Sequence, residues 1–266
     1  MDMRENPFAE AFTTVRVRNG VYLFLDRHIE RLRCHALQLG IRTEQIELGS
    51  INLPSSNDAL VRISVSKDGV VKTKERQAPS LHQHVDAMSC HFPAAIQIDS
   101  FEDATVNGDA NPQRSAEMVN GNKASVPQRL IGLKHGAWEF YRQTTIKCKQ
   151  QNCDVAFLLN RDDVVVDGDR ATPLLFTAAG ELVTSELRYG GVDSVTLGVL
   201  ETRLENSGMR ITRQRISRKS LHDALEVMMV GSGVGVAKIR TLDGKKLNVE
   251  DHVHSLMCTL YDNDSE

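Results

Sequence analysis

The sequence predicts an α+β fold in two domains, and three observations carry that reading. The first hundred residues hold two hairpin-like pairs of β-rich runs around one amphipathic helix. Residues 99 to 125 are rich in Asn, Asp, Ser and Gly and lack periodicity, as a long connection or lid would be. Beyond them, short strands crowd together with helices at their edges. The expected boundaries are a small domain over 1–103, a linker or lid over 104–125 and a larger domain over 126–266.

The elements follow in order. FTTVRVRNGVYLFL (12 to 25) joins two β-rich runs at Asn19-Gly20, a pair that tolerates positive φ at both central positions of a hairpin turn. Asp26 reads as the N-cap of a helix whose apolar residues Ile29, Leu32, Ala36 and Leu39 keep helical spacing, and Gly40 supplies the stop. LVRISVSKDGVVKTK (60 to 74) repeats the hairpin with its turn at Lys67-Asp68-Gly69. After the linker a helix follows Lys134, with Trp138 and Tyr141 read as core aromatics. DVAFLLN, DVVVDG, ATPLLFT and ELVTS are short strands. A helix from about Val192 to Asn206 comes next, then strands EVMMVG and VAKIRTL and a closing helix near 250 to 261.

Composition narrows the function. With 32 Lys+Arg against 35 Asp+Glu the net charge is -3, which offers no basic field for nucleic acid or an anionic membrane. Five cysteines without a C-x-x-C pair suit neither a disulfide framework nor a zinc knuckle, so a reducing compartment and no metal centre are expected. The amino terminus lacks the apolar core of a signal peptide, and no run of about 18 apolar residues could span a bilayer. A cytoplasmic protein is the expectation.

Several short motifs could carry chemistry, though each has a commonplace reading when taken singly. GSGVG (231 to 235) follows an apolar strand and offers close-approaching amides; glycine loops are common. GGVDSVTLGVL (190 to 200) places glycines before a helix whose free N–H groups suit a phosphate, or merely begin a helix. Arg31 in DRHIERL reads as a surface arginine, Asp167 in VVVDG as a turn acid, and Lys134 in RLIGLKHGAW as a solvated lysine.

In order and separation, however, these motifs resemble the fold-type IV pyridoxal-phosphate enzymes, the group of branched-chain and D-amino-acid aminotransferases and 4-amino-4-deoxychorismate lyase. The resemblance covers almost the whole chain. His28, Arg31 and Leu32 match H-x-x-R-L, which places the family's phosphate-binding arginine on Arg31. Gly132-Leu133-Lys134 fits the G-x-K context of the Schiff-base lysine, roughly a hundred residues on, and Asp167 follows 33 residues later (167 minus 134) as the acid that faces the ring nitrogen. The resemblance implies a D-amino-acid aminotransferase-like architecture, pyridoxal 5′-phosphate as cofactor, a small-molecule amino substrate and a homodimer. Its phosphate anchors would be Arg31, the amides at Val192 and Asp193, and Ser232.

The sequence departs from the family where glutamate would be usual at Asp167, asparagine at Thr172 and threonine at Asp193. An acid at 193 opposes a dianion unless it turns away to favour its own helix N-terminus. Phe12-Thr13-Thr14 and His135 after the lysine look closer to the lyase. That implies elimination of pyruvate to leave 4-aminobenzoate, with Lys134 as base and the Thr14 hydroxyl as proton donor. Transamination of branched-chain or D-amino acids is the alternative, and a cofactor-free binding protein on the same fold is a further one.

Overall fold

The computed structural model describes residues 10–92, 132–136, 139–205, 207–248 and 251–263. Its first sheet is antiparallel, with β1 (Glu10–Arg18), β2 (Val21–Tyr22), β3 (Asp58–Ser66) and β4 (Val71–Gln77) in the order β2-β1-β3-β4. The turn between β1 and β2 has φ of 53° at Asn19 and 75° at Gly20, the conformation for which that pair is suited. Alternation then divides the faces. Ala11, Val15 and Val17 of β1 with Val61, Ile63 and Val65 of β3 form a core with Ile29, Leu32 and Ala36 of helix α1 (Leu25–Gln38). Phe12, Thr14, Leu60 and Arg62 point to the opposite face, where a cavity lies.

Helix α1 starts differently from the expectation. Asp26 lies within its first turn, and the capping position is Phe24, held at φ 56° without a side-chain cap. A negative charge in the first turn still complements the helix dipole. The other end matches expectation: Gly40 takes φ 69° just beyond the helix.

The second sheet has nine strands. Its path runs β10 (Ile211–Gln214), β9 (Leu182–Ser185), β8 (Thr172–Phe176), β11 (Glu226–Gly231), β12 (Gly235–Leu242), β5 (His84–His91), β6 (Val155–Leu159) and β7 (Val165–Gly168), with β13 (Lys245–Lys246) pairing β12. The Val165 N–H donates to the Ile216 carbonyl at 2.8 Å, and Val164 bridges Ser217. The chain just beyond β10 therefore meets the start of β7, and the sheet curls until its two ends touch. Alternate residues fill its inside, among them Val155, Phe157, Leu159, Val227, Met229, Ala237 and Ile239. The intervening residues face outward and bury helices. Leu174, Met228, Val230 and Val236 pack on α3 (Val195–Glu205) and α5 (His252–Asp262), while Ala156 and Leu158 form a cluster with Cys148 of α2 (Glu139–Gln150).

Strand β5 departs from the expected division. It precedes the linker in sequence but pairs in parallel with β6 and β12, so the smaller sheet ends at Gln77, earlier than the boundary expected at 103. Strand β10, helix α4 (Arg218–Asp223) and β13 were not anticipated, and α3 begins at Val195, three residues after the expected start. The expected linker 104–125 and Trp138 lie outside the described residues. No helix among the described residues is long and apolar enough to cross a membrane.

Candidate active site

Between the two sheets lies a cavity of about 520 Å³. Its lysine gets there because β2 is only two residues long and leaves the first half of β1 with an open edge. Residues 134 to 136 fill it: the Phe12 N–H donates to the Lys134 carbonyl at 3.0 Å and the Gly136 N–H to the Glu10 carbonyl at 2.9 Å. The Lys134 N–H donates to His35 Nδ1 at 3.2 Å, so α1 holds the same segment from behind. The amine sits in the cavity, 5.8 Å from the centre of the Phe12 ring. Burial, reinforced by the Arg31 charge, lowers its pKa to about 7, and Asp167 works the other way. A substantial share of neutral amine at physiological pH is what a nucleophile or base requires.

Asp167 is buried at the end of β7. Its carboxylate accepts the Gly168 N–H at 2.8 Å and the Val192 N–H at 3.1 Å. Burial raises its pKa to about 7, against the lowering effect of those two hydrogen bonds and of Lys134. The close approach of the 190–192 segment depends on Gly191, where a Cβ would stand 2.6 Å from the Val166 carbonyl oxygen. The Val192 amide, expected at the phosphate, is thus engaged with Asp167.

A continuous polar chain leads from Arg31 across the cavity wall. Arg31 Nη2 donates to Thr13 Oγ1 at 2.8 Å, and Thr13 Oγ1 lies 2.8 Å from His28 Nδ1. His28 Nε2 is 3.2 Å from Ser232 Oγ, which is 3.3 Å from Thr196 Oγ1. Burial, with Arg31 and Lys134 nearby, holds the His28 pKa well below its ordinary value, so the ring is neutral. Because Arg31 donates to Thr13, the Thr13 hydroxyl proton points to Nδ1, and Nε2 carries the ring proton toward Ser232.

Arg31 is fixed on two sides and open on a third. Its Nη1 donates to the Asp193 carbonyl at 2.8 Å, while its buried Nε has no hydrogen-bond partner among the described residues. A buried guanidinium N–H without a partner is costly and signals an anion-binding position. The Asp193 side chain does not enter the cavity. It is 64% exposed and lies 3.5 Å from Arg213, so the acid turns away; its backbone carbonyl bonds Arg31, and its charge acts on that guanidinium only from outside the cavity. Ser194 lines the cavity in its place, and its Oγ accepts the Leu197 N–H at 3.3 Å to open α3. The first-turn amides of α3, Ser232, Thr196 and the open Nε of Arg31 make a donor set suited to a phosphate.

Of the residues singled out from sequence, Thr14, Arg31, Lys134, Asp167, Val192 and Ser232 all line one cavity. Thr13, His35 and Ser194 were not anticipated, and His28 was noted only as a motif position. Alternation along β1 offered the one signal, since Thr14 facing the cavity sends Thr13 to the helix side. Tyr141 was expected in the core. It does pack beside Cys148 and Leu158, but it also lines the cavity, where burial, with Asp167 and Asp169 nearby, raises its pKa well above the ordinary value.

A sequence profile of the family described as amino-transferase class IV matches residues 10–242. Solved structures share the fold at low identity. A hypothetical aminotransferase from Mycobacterium tuberculosis in a PLP-bound form is 16% identical with a TM-score of 0.75, over 95% of this chain and 87% of that one. A Legionella pneumophila protein described as a candidate 4-amino-4-deoxychorismate lyase is 17% identical with a TM-score of 0.72, over 95% and 90%. The Escherichia coli branched-chain amino acid aminotransferase is 16% identical with a TM-score of 0.69, over 94% and 83%. No functionally curated protein is similar enough in sequence to match. The chain belongs to the class IV aminotransferase family. It is therefore a pyridoxal-phosphate-dependent enzyme with a fold-type IV architecture, and the donor set around Arg31 fits that cofactor.

Proposed function

We propose that the chain is a lyase of the 4-amino-4-deoxychorismate type, eliminating pyruvate from a cyclic amino substrate and leaving 4-aminobenzoate. The observation that carries the reading is Thr14, which lines the same cavity as Lys134 and sits on the cavity-facing side of β1. Likeness in fold to proteins described as candidate lyases supports the same choice. Bound pyridoxal phosphate supplies an electron sink for the pair released when a substrate C–H bond breaks. Lys134 would hold the cofactor in this reading, and its amine would take the proton from the substrate ring. The Thr14 O–H protonates the leaving enolpyruvyl group as its C–O bond breaks. Asp167 would stabilise positive charge on the ring nitrogen, while Arg31, Ser232 and the start of α3 would hold the phosphate.

Transamination needs the same base but no second proton donor, so Thr14 distinguishes the two reactions. The test is to load the purified protein with pyridoxal phosphate, record its visible absorption, and assay pyruvate release against amino transfer to a 2-oxo acid. Thr14→Val is expected to retain the cofactor band and lose pyruvate release. Efficient amino transfer with no pyruvate release would assign the chain to the aminotransferases. We also place the active form as a homodimer, which sedimentation would check.

A further inference from the structure

Away from the cavity, His84, Asp251 and His254 bring donor atoms together as metal ligands would, and none of the three lines the cavity. His84 opens β5, Asp251 stands at the capping position of α5, and His254 lies in the first turn of that helix. In the sheet His84 is opposite Lys238 of β12, two residues beyond Val236, which packs on α5. The group therefore sits where the outer face of the large sheet meets the start of α5. One donor atom from each residue lies within 4.8 Å of the other two. His84 Nε2 is 3.8 Å from Asp251 Oδ2, and His254 Nδ1 is 3.0 Å from Asp251 Oδ1. Zinc held tetrahedrally at about 2.0–2.2 Å spaces its ligands by about 3.4 Å, a value these two separations bracket.

The orientation of His254 is an independent observation. Its ring is buried, and Nε2 lies 3.0 Å from the Val236 carbonyl, which can only accept, so Nε2 carries the ring proton. The neutral ring then turns its Nδ1 lone pair toward a carboxylate oxygen 3.0 Å away. Two acceptors meet there unless a proton or a metal cation lies between them. A ring N–H anchored on a backbone carbonyl, with the other nitrogen left to bind, is how zinc-ligating histidines are oriented. The surrounding charge also favours a cation. Glu226 and Asp251 bring two carboxylates against one ammonium, Lys238, whose Nζ is 3.7 Å from the first and 2.9 Å from the second. Glu226 is further committed to the Val253 and His254 N–H groups at 2.9 Å each, which fixes the first turn of α5. Lys238 engages Asp251 Oδ1 and leaves Oδ2 on the side of His84.

We propose that His84, Asp251 and His254 bind one zinc ion, with solvent completing the coordination, and that the ion clips the start of β5 to the start of α5. Imidazole with carboxylate suits zinc better than calcium or magnesium, which prefer oxygen alone. The two histidines are 170 positions apart (254 minus 84), so the site exists only in the folded chain and its occupation stabilises that state. The assignment of Lys134 and the cofactor floor is independent of it.

Zinc alone, titrated calorimetrically into cofactor-loaded protein that has been stripped of metal and of free cofactor, tests this. One equivalent is expected to bind and to raise the melting temperature. His84→Ala and Asp251→Asn are each expected to weaken binding by at least about 10- to 100-fold, the loss that removal of even an outer-shell partner brings. Both side chains are 47% exposed and asparagine keeps an oxygen for Lys238, so both variants should fold, which their melting without metal checks. No zinc uptake by the unaltered protein would overturn the site and leave a protonated His254 paired with Asp251. Uptake that both variants retain would also overturn it, as an adventitious ion only, held elsewhere, for instance at the exposed Cys34.

Discussion

At the floor of the cavity Asp167 accepts two backbone N–H groups and Arg31 is tied to the Asp193 carbonyl and to Thr13, whereas at the rim Arg76 meets no carboxylate among the described residues and feels the charge of Arg170. The floor is built from strand ends, a helix start and a glycine that permits backbone contact, so its charges are fixed in place by main chain. The rim is built from long side chains on a sheet face and a turn. Their positions are set by alternation. Such a division suits an enzyme whose cofactor chemistry is constant and whose substrate recognition is adjustable, because rim residues can change without disturbing the backbone that holds the reacting groups.

The largest effect expected is at the floor. Lys134→Ala should lower turnover by at least about a thousandfold, since it removes the amine proposed as nucleophile and base, and should abolish the visible band of the lysine-bound cofactor. Turnover within tenfold of the unaltered enzyme would mean that the reacting centre lies elsewhere. Arg31→Gln removes the charge and the fork around the open Nε. It should weaken cofactor binding by roughly 10- to 100-fold, from the typical worth of charge-assisted hydrogen bonds. Arg31→Lys should recover little of this, because an ammonium cannot hold Thr13 and the Asp193 carbonyl together.

Acid–base linkage sharpens the comparison in the apoprotein. The Lys134 pKa falls from 10.5 to about 7 on folding, so between those values the unfolded chain holds a proton that the folded one has lost, and stability rises with pH. For Asp167, raised from 3.8 to about 7, the folded chain holds the extra proton, and stability falls as pH climbs through that range. The two contributions together are least favourable near neutrality. Urea unfolding at pH 5, 7 and 9 should show Lys134→Met flattening the upper limb and Asp167→Asn the lower one. Unchanged slopes in both variants would show that neither group changes protonation on folding.

Behind the floor runs the chain of hydroxyls through His28. His28→Phe leaves the Thr13 hydroxyl, wholly buried, without an acceptor. The loss should be about 1–3 kcal/mol of stability, the usual cost of a stranded buried polar group. Thr13→Val in the same background should not recover it, because Arg31 Nη2 then loses its acceptor, and a double-mutant cycle by urea unfolding measures the coupling.

Much of this was legible from residue types whose role is local. Asn19-Gly20 gives a turn and Gly40 a helix stop whatever surrounds them, and strands such as VAFLL carry their own apolar signal. Strand β5 was not legible, because HVDAMSCH, residues 84 to 91, acquires its place only by pairing with β6 and β12, far away in sequence. The same holds for the cavity rim. Arg62 and Arg76 look like solvated charges along the chain, and only the register of β3 with β4 and the approach of the β7–β8 turn bring them beside Arg170. Lys134, Asp167 and Arg31 were singled out through motif order, and all three line one cavity. Thr13 escaped because a buried hydroxyl in a β-rich run has no sequence mark of its own.

The smallest effect concerns the residue that seemed most at odds with an anion site. The Asp193 carboxylate is exposed and shares Arg213 with Glu201; Arg31 bonds only its main-chain oxygen and feels its charge from a distance. Exposed ion pairs are worth roughly 0–1 kcal/mol. Asp193→Ala should therefore change stability by less than about 0.5 kcal/mol, because Glu201 retains the arginine. Cofactor affinity should rise slightly, by about twofold at low salt, as a negative charge near the phosphate position disappears, and the gain should vanish at high ionic strength. A large change in either direction would mean that the acid turns inward when the cofactor binds, and the floor would then share the adjustability assigned to the rim.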